Sequence, residues 1–216
     1  MTPQELSFPS PDREPFTVLV QCFSGVTEAA RPDLRAPNAA YVNADSIVSL
    51  THLLFGLNKA LVLSKLNRLA SSEALISARG PSAFERELCN CLGSTSHADR
   101  CHQEIGFDWS SSSSSSSSKK LVLVVVNASP SDLTSVHYET FSEISAPLVS
   151  HSATPYVGGS ADDFLRDVDK NKKDRLVALF KIHAMELGDG KGGAYEWRDL
   201  ESAVITRMAT KDVVKL

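Results

Sequence analysis

Residues 121–126 read Leu-Val-Leu-Val-Val-Val. Six aliphatic residues without a polar interruption predict a strand at the centre of a sheet, because such a strand leaves neither face for water. The run is far short of the roughly 20 residues that a membrane-spanning helix needs. Immediately before it stand Lys119, Lys120 and nine consecutive serines, Ser110–Ser118. That composition cannot bury enough apolar surface to offset the entropy of ordering it, so residues 94–120 are expected to form a flexible insertion. A central strand needs partners from before the insertion, and the serine tract therefore interrupts one domain instead of separating two. Phe16–Phe23 (FTVLVQCF) supplies the first partner, β-rich, nearly continuously apolar and ended by Gly25.

Working outward, residues 39–48 predict a second short strand or extended segment, and Glu73–Ala78 another strand. Leu53, Leu54, Leu57, Ala60 and Leu61 recur at helical spacing within residues 50–69, while Asn58, Lys59, Lys65 and Arg68 take other faces. Ser49 or Thr51 is placed to cap this helix. Ser82 followed by Glu85 forms a capping box opening a helix over 82–92, which Gly93 closes. Short helices are expected over 26–35, interrupted by Pro32, and over 131–144. Residues 166–174 form a charged stretch, and 176–182 a helix end or strand. Trp197, Leu200, Val204 and Met208 mark the apolar stripe of a terminal helix over 195–213. Residues 1–15, with four prolines, predict a disordered tail, and the glycine-rich 184–194 a second flexible insertion. The expected fold is a single α/β domain over 16–216, a mixed sheet with packed helices and a long C-terminal helix.

The 216 residues carry 22 Lys and Arg against 26 Asp and Glu, a net charge of −4. A protein that coats nucleic acid by bulk charge is excluded. Local patches differ in sign: residues 59–79 hold four bases against one acid, and the stretch from Arg207 holds three against one. The first ten residues lack a basic start followed by an apolar run, so a secretory signal is not expected and the chain is expected to stay inside the cell. Its four cysteines then read as thiols.

Cys89, Cys91, His97, Cys101 and His102 form the densest set of metal-ligand residue types. The spacing Cys-x-Cys is not that of a zinc knuckle, and no second pair follows. The bland reading puts Cys89 and Cys91 on different faces of a helix, one in the core and one near the surface. A metal-dependent or small-molecule-binding enzyme using Cys89, Cys91 and Cys101 is the alternative. Asp167, Asp169 and Asn171 resemble the start of a calcium loop, but Lys172 stands where glycine is needed and Ala178 where a bidentate glutamate is needed; a solvated charged turn is expected there. Lys191 in the glycine run is followed by glycine where a phosphate-binding loop needs Ser or Thr. There is no Gly-x-Ser-x-Gly, and the six histidines are scattered, with His52 and His183 expected to be structural or exposed.

Arg207-Met-Ala-Thr-Lys-Asp-Val213 at the end of an amphipathic helix, with Asn58-Lys59-Ala60 inside a leucine-rich one, resembles the TPRKB family, the kinase-binding subunit of the KEOPS (EKC) complex. The order of elements is also similar, from Val18–Val26 through Ala44–Val48 and Ser72–Ile76 to Phe180–Ile182, covering most of residues 16–213. The segment Asn67–Ser71 is shorter than the basic, threonine-containing stretch typical of the family, and the serine and glycine insertions are extra. The resemblance implies a non-catalytic subunit without cofactor, in nucleus and cytoplasm and not on a membrane. Such a subunit binds and activates a small atypical kinase, meets the threonylcarbamoyl transferase subunit through it, and supports threonylcarbamoyl-adenosine modification of tRNA; archaeal relatives also hold the tRNA 3′ CCA end. With Trp197, Leu200, Val204 and Met208 assigned to the core, Ile205, Val213 and Val214 are the expected kinase contacts. Lys59, Lys65, Arg207 and Lys211 are the candidates for tRNA phosphates.

Overall fold

A computed structural model describes residues 4–8, 16–26, 34–35, 38–63, 76–77, 81–109, 119–126, 154–156, 159–166, 170–187 and 196–211. The six-residue aliphatic run lies in β6 (Lys119–Val126), which pairs on one side with β2 (Phe16–Val26) and on the other with β4 (Ala39–Asn43). β1 (Gln4–Phe8) and the two-residue β7 (Thr154–Pro155) share the other edge of β2, giving the order β1-β2-β6-β4. Residues 34–35 (β3) and 76–77 (β5) pair separately.

The protein is thus an α/β domain, but every described ladder is antiparallel, which corrects the expectation of a mixed sheet. β6 inserts between two strands that run the same way and opposes both.

The strands read as continuous apolar runs because both faces are covered. Val18, Val20, Cys22, Ala40, Val42, Val122, Val124 and Val126 face one core, and Leu19, Phe23, Ala39, Tyr41, Leu121, Leu123 and Val125 face another. Gly25 does not end β2. It takes φ 70° at an irregularity between Phe23 and Val26, a conformation that costs glycine little, and the strand resumes.

The first core is covered by α1 (Leu50–Leu63), α2 (Ala83–Leu92), α4 (Ala161–Arg166), α5 (Lys170–Phe180) and α6 (Trp197–Thr210). The α1 stripe and the terminal stripe fall where their periodicity puts them, with Leu53, Leu57, Leu200, Val204 and Met208 fully buried and Trp197 packed against them. Gly56 lets α1 and α2 approach closely, since a Cβ there would lie 2.5 Å from Leu92 Cδ2.

Residues 94–109 are not a flexible insertion. They contain α3 (Ala98–Ile105), which packs on α2, and then an extended stretch whose Phe107 and Trp109 close the second core. Trp109 meets Tyr41 and Phe107 edge-on, with ring centroids 5.6 and 4.7 Å away. Phe107 N–H donates to the Tyr41 carbonyl at 2.9 Å and Gly106 bridges to Val42, so this stretch also covers the outer edge of β4.

Other expectations change as well. Gln4–Phe8 of the supposed tail is a strand, since Pro3 and Pro9 flank the paired residues and leave their amides free to donate. Leu34–Arg35 is strand, not helix. Asn171 sits in α5, not in a turn; the buried Lys172 ammonium donates to the Leu165 carbonyl at 2.5 Å and so ties the start of α5 to the end of α4. Residues 184–187 of the glycine insertion make a 3-10 turn with Leu187 in the core. The expected helix over 131–144, the serine tract, the glycine run 188–193 and residues 64–69 of the long helix lie outside the described residues.

Candidate functional site

The N-terminus of α1 is a hub of polar contacts. Ser49, wholly buried, accepts from His52 N–H at 3.1 Å and donates to Glu201 Oε1 at 2.5 Å, while Asp162 Oδ1 accepts from Leu50 N–H at 2.8 Å. Two of the orphan amides of the first turn are thereby satisfied, with Ser49 the cap.

His52 is fully buried and stands edge-on to Phe180. Its Nδ1 lies 3.2 Å from Val48 N–H, a donor, so Nδ1 must accept; Nε2 therefore carries the hydrogen and donates to the Leu92 carbonyl at 3.2 Å. Burial pushes its pKa down to about 4. Both nitrogens serve the fold, and the structural reading of His52 holds. His183 is exposed.

The cysteines are placed differently from expectation. Cys89 and Cys91 are both buried, because α2 is flanked by α1 and α3 together, and Cys101 on α3 is buried as well. Burial pushes the Cys91 thiol up to about 12 and raises Cys89 and Cys101, which holds all three protonated and opposes ligand or nucleophile chemistry. His97 is exposed, and His102 turns to the buried Glu85 at 2.9 Å. Among the described residues no three His, Cys, Asp or Glu side chains converge to hold a metal ion.

Ser82 caps α2 as its sequence predicts, accepting from Glu85 N–H at 2.9 Å, and also donates to the Ala39 carbonyl at 2.9 Å, tying the helix to β4. Ser82→Ala is expected to lower stability by about 2 kcal/mol, roughly half from the cap and half from the lost bond. Urea titration checks this, and a loss under about 0.5 kcal/mol would contradict it.

The basic candidates are partly engaged. Arg207 grips Glu186 in two bonds of 2.5 and 3.2 Å, and Lys211 is half-buried with its ammonium on the carbonyls of Asn90, Gly93 and Thr95. Lys59 is half-buried on α1, and Lys65 lies outside the described residues.

Ile205 is half-buried on α6, and Val213 and Val214 lie outside the described residues. Phe55, 38% exposed, and Val62, 68% exposed, are the large apolar side chains open to solvent among the described residues. Seven positions apart, they share one face of α1. Sequence reasoning missed them, although their spacing places both off the buried Leu53–Leu57 stripe.

Neither the scanned protein-family models nor the curated proteins contain a match to this chain.

Proposed function

We propose that the chain is a non-catalytic subunit of the KEOPS (EKC) complex that docks on and activates its small atypical kinase. In this reading it meets the threonylcarbamoyl transferase subunit through that kinase and supports threonylcarbamoyl-adenosine modification of tRNA in nucleus and cytoplasm. One observation carries it. The two segments of the resemblance, Asn58–Ala60 and Arg207–Lys211, lie far apart in sequence but on α1 and at the end of α6, helices packed on each other, and α1 there exposes Phe55 and Val62. An apolar stripe with polar neighbours such as Asn58 is what a protein partner covers. Ile205, half-buried on the adjoining helix, is the further apolar contact proposed in this reading. tRNA contact through Lys59, Lys65, Arg207 and Lys211 belongs to the same proposal, with Arg207 and Lys211 already bonded within the chain.

The test is affinity for the purified kinase subunit. Ile205→Glu, and separately Phe55→Ser with Val62→Ser, are expected to weaken binding at least about tenfold, with unchanged circular dichroism and urea midpoint. Wild-type protein that does not bind the kinase, or variants that bind as well as wild type, would overturn the reading.

A further inference from the structure

Lys211 follows the last residue of α6 and donates its backbone N–H to the Arg207 carbonyl at 3.1 Å, prolonging the final turn. Its side chain reaches 121 residues back in sequence to the end of α2. There the ammonium donates to the Asn90 carbonyl, to Gly93 O at 3.0 Å and to Thr95 O at 3.4 Å, one acceptor for each N–H it has to give.

The site is built for a cation. The last carbonyls of a helix lack intrahelical partners and form the negative end of its dipole. In α2 the Cys89 carbonyl is taken by Gly93 N–H, the Leu92 carbonyl by His52 of α1, and the Asn90 carbonyl by Lys211. The end of α2 is thus finished by side chains from two other elements. Gly93 has room for no side chain, since a Cβ there would lie 2.4 Å from Cys101 Sγ.

We propose that Lys211 is a positioning residue: a latch that fixes the last turn of α6 on the α2–α3 connection and so sets how the Ile205 face meets the kinase. The latch rests on the kinase-docking reading for its consequence but not for its geometry. An ammonium seated on three carbonyls is withdrawn from phosphate contact, so the latch replaces the RNA-binding role expected of Lys211.

The experiment compares wild type, Lys211→Met, which keeps the stem and removes the charge, and Lys211→Arg, which keeps the charge. Amide hydrogen exchange and kinase affinity are read together. Lys211→Met is expected to speed exchange at residues 206–211 and at Gly93 and Thr95 at least tenfold, to leave β2 and β6 protected, and to weaken kinase binding about tenfold. Lys211→Arg is expected to recover most of both. Unchanged exchange at the last turn of α6 overturns the latch whatever the kinase does, and loss of protection in β2 and β6 as well shows a general structural role and overturns it too. Faster exchange with undiminished kinase affinity removes its positioning role while the kinase reading stands. Failure of the wild type to bind the kinase removes that reading, and the exchange data still judge the latch.

Discussion

Trp109→Ala is expected to lower the stability of the fold by about 3–5 kcal/mol, the range for removing a large buried aromatic from a core. Trp109 lies one residue before the serine tract, where composition points to tolerance of any change. Its ring instead packs on Tyr41 and Phe107 over the face of the sheet formed by Leu19, Phe23, Leu121, Leu123 and Val125. Truncation leaves a void that two aromatic neighbours cannot fill, and it opens the apolar strand faces to water. The measurement is the urea midpoint with an unchanged slope, with Trp109→Phe expected to recover a large part of the loss. A cost below about 1 kcal/mol would mean that the stretch after α3 is not a structural cover.

Acidification from pH 7 to pH 4 is expected to remove roughly 3 kcal/mol through His52 alone. The folded protein lowers its pKa from 6.5 to about 4, so between those values the unfolded chain binds the proton and the folded chain does not. Stability therefore falls as pH drops through this window and levels off for this group below about pH 4. A shift of this size at about 1.4 kcal/mol per unit sets the magnitude. The physical event is loss of the Nδ1 lone pair, which leaves Val48 N–H facing a second N–H inside the core. His52→Asn, though less stable at pH 7, is expected to give a flatter stability curve between pH 7 and 4. Wild-type and variant curves that run parallel across this range would exclude His52 as the acid-sensitive group.

Much of the architecture is readable from local pattern. The runs at 16–23 and 121–126, the stripes on α1 and α6 and the Ser82 cap all depend on residues within a turn or two of each other, and each is found in place. Strand direction is not readable this way, because alternation has no polarity, and the sheet proves antiparallel throughout its described ladders. Ile105, Phe107 and Trp109 were hidden by the polar and serine-rich residues around them. The candidate site shows the same division. The spacing of Phe55 and Val62 sets them off the buried stripe of α1, but that no other element covers them is decided by tertiary packing, and the partner of Lys211 is a helix end that only tertiary folding brings near.

The late position of β6 in the chain has a consequence during synthesis. About 90 residues separate the end of β2 from Lys119, and at about 5–20 residues per second a ribosome takes roughly 5–20 s to cross that interval. From Asn43 onward, β2 and β4 are both made but the strand that joins them is not. Two apolar ribbons thus wait on the nascent chain with matching hydrogen-bonding groups open, a period in which a neighbouring polypeptide can capture them. The cellular yield of this protein should therefore depend on the translation rate across residues 27–118 and on holdase chaperones at the tunnel exit more than on the final stability of the fold.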